Sequence, residues 1–160
     1  MTKRLEIRTG ATGYRDQLDR VRRYLARVQA HESSKYVIDY QDDVWSFFQN
    51  CWHLKDWVKH DPLIPEHQKN TIKRAVEASR VLAIANDMAN GTKHLDLHDP
   101  RAPAEYAHTR LNTAGGVSKL ECVINVDGIP MNASVVADQC VAAWIFILAA
   151  EGLPTDPMGT

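Results

Sequence analysis

A polar stripe runs along the most aromatic stretch of the chain, residues 42–61, which holds three of the four tryptophans. Read as a helix, this stretch places four polar residues in one narrow sector opposite a broad apolar one: Gln49, His53, Asp56 and His60. An imidazole that is oriented by a carboxylate is a common general acid or base near neutral pH. The stripe therefore indicates either a site based on His53 and Asp56 or a solvated helix face with stabilising side-chain pairs.

A second polar group follows at the end of the next predicted helix, in residues 87–94. Cations at a helix C-terminus complement the negative end of the dipole by a few tenths to about 1 kcal/mol, which accounts for Lys93 and His94. The dipole does not account for Asp87, because an acid in the last turn lies at its unfavourable end. We therefore expect Asp87 to pair with Lys93 or to orient His94, with Asn90 beside them.

The chain after this helix also has the spacing of a metal-binding segment. An extended backbone would put His94, Asp96 and His98 on one side, and these side chains can hold a divalent ion. Metal sites generally include a recognisable ligand from elsewhere in the chain, and the other histidines offer no clear choice. We therefore predict a site without a metal or another cofactor.

The elements that position these groups are mainly helices. The apolar periodicity predicts a mainly α fold, a bundle of four main helices with one β-hairpin between the third and the last helix. Asp61 precedes Pro62, so the central helix should end near His60. Pro65 should open the third helix, and Gly91 in a left-handed conformation should close it. We divide the single domain into an N-terminal segment, a helical core, an irregular excursion, a hairpin and a last helix: residues 1–11, 12–91, 92–118, 119–133 and 134–152.

The hairpin has the clearest local signals. Alternating apolar residues flank a two-residue turn at Asp127 and Gly128, and Pro130 marks the returning strand as an edge. A helical turn is expected before it, near residues 105–110.

The last predicted helix has a wide apolar face that includes Trp144, as expected of a core or interface helix. Asn132 or Ser134 should cap its N-terminus, and Gly152 should end it.

Length and composition fit one globular domain of 160 residues with a net charge of −1. The apolar run at residues 140–150 is about half of the ~20 residues needed to cross a bilayer, and the N-terminus lacks a signal peptide. We therefore expect a cytoplasmic protein without membrane contact, whose three cysteines are reduced packing residues. The first helix, predicted to follow Thr12, is rich in arginine, which suits either RNA or nucleotide phosphate or a solvated face.

Two motifs carry a resemblance to known proteins. CWHLKDW at residues 51–57 and NDMANGTKH at residues 86–94, followed by the hairpin and final helix, resemble small bacterial and phage proteins associated with the HEPN superfamily. The resemblance implies a helical bundle that is often a homodimer. Many HEPN-like proteins are metal-independent ribonucleases of toxin and antiviral systems, whereas others only bind nucleotides or partners. Their usual signature is an Arg a few residues before a His, and this chain has Arg101 and His108, with Pro103 between them.

Two functional hypotheses follow. As a metal-independent ribonuclease of a phage or bacterial defence or toxin system, the protein would use His53 and His94 as the acid and base. Asp56 and Asp87 would orient them, and Lys93 would hold the phosphate. The ligand-binding residues would be Gln49, Trp52, His60 and Asn90. The alternative is a non-catalytic, dimeric module of phage or defence origin that uses the same pocket for ligand binding or protein interaction.

Overall fold

The computed structural model describes residues 13–30, 37–91, 104–116 and 118–158. Within these ranges the chain forms five α-helices and one antiparallel three-stranded sheet, so the mainly helical fold is confirmed. The helices are α1 (Tyr14–Ala30), α2 (Val37–His60), α3 (Glu66–Ala78), α4 (Arg80–Gly91) and α5 (Ala133–Ala150). The strands are β1 (Ala104–Asn112), β2 (Lys119–Val126) and β3 (Ile129–Asn132).

Helix α2 is the centre of the fold. Its predicted apolar sector is buried throughout and comprises Val44, Phe47, Phe48, Cys51, Leu54 and Val58. Helices α1 and α4 make the most extensive contacts with it, and α3, α5 and β2 also touch it. The helix ends at His60, as the following Asp-Pro pair predicts.

The predicted third helix is in fact two helices that meet at Ser79. Ser79 has an extended conformation, with φ −79° and ψ 115°. Its N–H donates to the carbonyl of Val76 at 3.2 Å, and its carbonyl accepts from the N–H of Ala83 at 3.0 Å. The Ser79 hydroxyl accepts from the N–H of Leu82 at 3.4 Å. Because serine can supply this alternative acceptor, it ends α3 and caps α4. The prediction of one long helix from Pro65 was wrong.

The sheet has the order β1-β2-β3. The hairpin prediction is confirmed, because Asp127 and Gly128 connect β2 and β3 with φ values of 55° and 78°. Pro130 lies on β3, which pairs with β2 and is the last strand of the sheet among the described residues. The expected helical turn near residues 105–110 was wrong, because this part of the predicted excursion is β1, while residues 92–103 lie outside the described residues. The strand has nine residues, and eight of them pair with β2, with an irregularity between Tyr106 and His108.

The ends of the helices follow the predicted chemistry in α5 but not in α4. The Asn132 side chain accepts a hydrogen bond from the Ser134 N–H at 2.8 Å, which caps α5. Gly152 has φ 71°, and its N–H donates to the Ala149 carbonyl at 2.9 Å, so it terminates α5 as expected. Gly91 is the last residue of α4, and its φ is not positive. The predicted left-handed conformation at Gly91 was therefore wrong.

The N-terminus of α1 is capped by a residue 47 positions away. Asp61 is buried, and its Oδ2 accepts from the Tyr14 N–H at 3.0 Å while its Oδ1 accepts from the Leu63 N–H at 2.9 Å. Gly13 packs so closely that an added Cβ would lie 2.3 Å from Oδ2. The predicted cap, Thr12, lies outside the described residues. Asp61 therefore joins the end of α2 to the start of α1.

Helix α5 is the most apolar helix of the described ranges. By length and composition alone it could cross a membrane, with a mean hydropathy of 1.8, and half of it is buried inside the protein. Core helices of soluble proteins pass the same test. Trp144 illustrates the core role, because its indole is fully buried and Nε1 donates to the Cys51 carbonyl at 3.1 Å.

Candidate functional site

The predicted polar stripe on α2 is partly accessible. Gln49, His53 and Asp56 are half-buried, and His60 is exposed. The Asp56 carboxylate lies 3.1 Å from Lys55 Nζ, and the Asp56 carbonyl is 2.8 Å from His60 Nδ1. Asp56 and His60 therefore interact within their own helix, and the carboxylate of Asp56 lies against Lys55. The orientation of His53 by Asp56 stays a prediction.

The second predicted group is only partly within the described residues. Lys93 and His94 lie outside them, as do Asp96 and His98, so the pairing of His53 with His94 and the metal alternative stay predictions. No group of histidine, cysteine, aspartate and glutamate suited to a metal ion occurs in the part of the chain that the structure describes.

Asp87 itself is nearly completely buried, with 1% of its surface exposed. The Asn86 amide donates to Asp87 Oδ1 at 3.1 Å, and the Asn90 amide donates to Asn86 Oδ1 at 3.1 Å. A buried carboxylate is costly unless such donors surround it. Since α4 packs directly against α2, this acid belongs to the helix beside the one that carries His53.

A groove of about 300 Å³ lies between α2 and α3. Apolar side chains line part of it: Val58, Ile72 and Val76. Four lysines line it from both helices: Lys55 and Lys59 from α2, and Lys69 and Lys73 from α3. The remaining lining residues are Trp52, Asp56, Glu66, Asn70 and Glu77. Two residues of the predicted site, Trp52 and Asp56, therefore belong to this groove.

The acids of the groove hold most of its lysines. Lys69 Nζ lies 2.9 Å from Glu66 and Lys73 Nζ lies 3.9 Å from Glu77. Lys59 is exposed and forms no ion pair with a described residue. With four lysines against three acids, the groove has a formal charge of plus one. Exposed ion pairs of this kind contribute only about 0 to 1 kcal/mol, so an anionic ligand can compete for the lysines.

Trp52 gives the groove an aromatic surface. The indole is half-buried, and Lys55 Nζ lies 4.9 Å from its ring centroid. A cation over an indole is attracted to the ring face and adds to the positive potential beside it. A flat aromatic ring next to cations is the combination on which nucleic-acid bases stack while their phosphates are neutralised.

Sequence reasoning found Trp52 but not the lysines of α3. Lys55 and Lys59 are four residues apart, as are Lys69 and Lys73, and this spacing puts each pair on one helix face. The short connection between His60 and Pro65 indicates that the two helices are neighbours. What sequence could not supply was the rotation of each helix about its axis, which decides whether the two lysine faces meet.

The groups with perturbed pKa values lie in the core and the sheet. Burial raises the pKa of the Cys122 thiol to about 11. The contact with the Cys51 thiol, together with burial, raises the pKa of Cys140 well above its ordinary value. Hydrogen bonds from Asn112 and Arg110 lower the pKa of Glu121. All three cysteines are buried and free, as expected of packing residues.

The arginines of α1 are mostly engaged within the protein. Arg20 donates to the Gln17 side chain at 2.9 Å and lies 5.7 Å from the ring centroid of Trp57. Arg27 lies 3.8 Å from the Asp43 carboxylate. Arg23 is exposed. The basic sequence of α1 therefore overstates the positive charge that it presents to solvent.

Comparison with protein-family models, curated proteins and solved structures finds no match to this chain. The resemblance to the HEPN superfamily therefore stays a prediction. The function has to be argued from the groove, the buried acid and the surface charges.

Proposed function

We propose that this protein is a non-catalytic binding module whose ligand is RNA or a nucleotide, held in the groove between α2 and α3. The observation that carries the proposal is that lysines from both helices line the same groove as Trp52 and three apolar side chains. The volume of the groove is at the lower end of the range for ligand sites, so it suits one base with its adjoining phosphate.

The chemistry of the groove supports this class of ligand. Stacking of a base on an aromatic side chain contributes about 1–3 kcal/mol and is tolerant of sequence. Lysine is a compact point charge that binds phosphate oxygens without demanding a fixed geometry. On binding, Lys69 and Lys73 would give up their weak ion pairs with Glu66 and Glu77. They would contact phosphate oxygens instead.

The decisive experiment compares two sets of charge-neutralising variants. Lys59→Gln combined with Lys73→Gln removes a groove cation from each helix, whereas Arg74→Gln removes an exposed cation of α3 outside the groove. Binding of a labelled oligouridylate is measured by fluorescence anisotropy over a series of salt concentrations. The double variant should reduce the slope of log affinity against log salt by about 1.4, from two lost phosphate contacts at about 0.7 each.

The control variant Arg74→Gln should leave this slope nearly unchanged. Trp52→Leu should weaken binding by about 1–3 kcal/mol with little change in slope, because it removes stacking and no charge. Equal slopes for the double variant and the control would refute the groove as the site. Absence of binding to both the oligonucleotide and nucleoside triphosphates would refute the ligand class.

The second candidate is the metal-independent ribonuclease, and the buried Asp87 on the helix beside His53 favours it. In this proposal His53 and His94 exchange protons with the substrate, Asp87 orients a histidine, and a homodimer is the active form. RNA incubated with the protein and a chelator should be cleaved by the wild type and left intact by His53→Ala. Cleavage by that variant, at the wild-type rate, would exclude the proposed acid–base role.

A further inference from the structure

The C-terminal segment 153–158, here called the strap, lies across α1. The Tyr14 hydroxyl donates to the Pro154 carbonyl at 2.7 Å, and Arg15 Nη2 donates to the Asp156 carbonyl at 3.1 Å. Arg22 donates to the carbonyl of Thr155. In the opposite direction, the N–H of Met158 donates to the Asp19 carboxylate at 3.0 Å.

The strap is held on α1 mainly by hydrogen bonds and only weakly by burial of apolar side chains. None of its residues is buried; Leu153, Thr155 and Met158 are half-buried, and Leu153 packs against the core. Gly152, in its left-handed conformation, separates the strap from α5. Segments with few buried apolar contacts open at low free-energy cost compared with global unfolding. The strap can therefore leave α1 while the helices stay packed.

The guanidinium of Arg15 is only partly satisfied by the strap. Among the residues that the structure describes, Arg15 Nε is buried without a hydrogen-bond partner, although Nη2 of the same guanidinium is bound. Buried donors are nearly always paired in native proteins, so an unpaired one requires an explanation. Peptide carbonyls are neutral acceptors, whereas a phosphate is charged and offers several oxygens that match the guanidinium fork.

The charges around the strap define what can replace it. Asp19 pairs with Arg22 at 3.0 Å and would oppose an anion, and Asp16 is bound to the Gly13 N–H at 3.2 Å. Five arginines lie on α1 against these two acids, so the helix has a formal charge of plus three: Arg15, Arg20, Arg22, Arg23 and Arg27. Asp61, whose Oδ2 accepts from the Tyr14 N–H, and Asp43, 3.8 Å from Arg27, offset part of this charge, so the attraction for a phosphate comes mainly from the guanidinium groups of Arg15 and Arg22 themselves.

We propose that the strap is an autoinhibitory contact, and that the phosphodiester backbone of RNA displaces it to bind Arg15 and Arg22. The strap's carbonyl oxygens occupy the acceptor positions beside the guanidinium groups that phosphate oxygens would take. This inference shares its ligand class with the proposed function but rests on a different surface, α1 instead of the groove.

The test removes the part of the strap that bonds to the arginines. A chain that ends at Pro154 keeps Leu153 in place and lacks the carbonyls of Thr155 and Asp156. If the strap covers the arginines nine-tenths of the time, its removal should tighten oligouridylate binding about tenfold. Because RNA contacts Arg15 and Arg22 in the bound state with or without the strap, the salt slope should stay nearly the same in the two chains. Unchanged affinity would overturn the proposal.

Three controls separate the causes. Asp156→Asn in the full chain removes the same charge but keeps the backbone carbonyl, so it should change affinity less than about twofold. Arg15→Gln with Arg22→Gln in the shortened chain should abolish the gain. The groove variants in the shortened chain should weaken binding while preserving the gain, so failure of the groove and failure of the strap are distinguishable.

Two further measurements show whether a change in affinity comes from loosening the strap or from deletion and unfolding. Tyr14→Phe in the full chain loosens the strap without deleting residues or changing charge, and it should increase affinity in the same direction by a smaller factor. Thermal melting confirms that each variant is folded. If sedimentation shows that shortening the chain dissociates a dimer while RNA affinity is unchanged, the strap is an arm exchanged between copies and the RNA proposal is overturned.

Discussion

Replacement of Trp144 by alanine should remove a large part of the free energy of unfolding, because this indole links α5 to the middle of α2. Its side chain is 0% exposed, and its N–H donates to the Cys51 carbonyl at 3.1 Å. Truncation of a buried aromatic residue to alanine costs about 3–5 kcal/mol, including the cavity that it leaves. The lost hydrogen bond puts Trp144→Ala near the upper end, at about 4–5 kcal/mol, since such a bond contributes about 0.5–1.5 kcal/mol.

Urea unfolding followed by far-ultraviolet circular dichroism measures this loss directly. The matched control is Phe146→Ala on the same helix, since Phe146 is 76% exposed. That variant should change the free energy of unfolding by about 0.5 kcal/mol or less. Trp144→Phe keeps a ring in the core and should give an intermediate loss. Equal effects of Trp144→Ala and Phe146→Ala, or a loss below about 1 kcal/mol for the former, would refute the assigned packing of α5.

Three other changes test the remote cap and the buried thiol. Asp61→Ala should destabilise the protein by about 1.5–3 kcal/mol, because the Tyr14 N–H loses a charged acceptor, and thermal melting measures this. Gly13→Ala should also destabilise, since its Cβ would lie 2.3 Å from Asp61 Oδ2, and the double variant should show less than the sum. The pKa of Cys122 is raised from 9.0 to about 11 by burial, so the unfolded chain ionises first as the pH rises. The contribution of this thiol to stability should be complete below about pH 9 and fall by about 2 kcal/mol by pH 11, and the fall should be less steep in Cys122→Ala.

The features that sequence predicted correctly depend on neighbours a few positions apart. The buried face of α2 follows from the 3.6-residue period, and the end of that helix follows from Asp61 and Pro62. The turn at Asp127 and Gly128 and the cap at Asn132 are likewise local. Each was predictable because its stabilising contacts lie within the segment itself.

The mistaken assignments concern elements whose stability comes from distant partners. β1 has no clean alternation of apolar residues, and it is a strand because β2 pairs with it across the turn that contains Gly115 and Gly116. The break at Ser79 divides one predicted helix into two. A serine hydroxyl can either face solvent or cap a helix, and sequence alone does not decide between these roles. Here it caps α4, which packs against α2 and β1.

For the candidate site, sequence determined the residue types, and tertiary structure decided which residues lie next to one another. The stripe on α2 was visible from periodicity, but Trp52 and Asp56 turned out to line a groove whose other wall is α3. The basic helix was visible from composition, but the strap from the far end of the chain decided that Arg15 and Arg22 are covered. Charge and aromatic character are properties of single residues, whereas a binding surface requires two elements to meet in a defined rotation, which only the packed core sets.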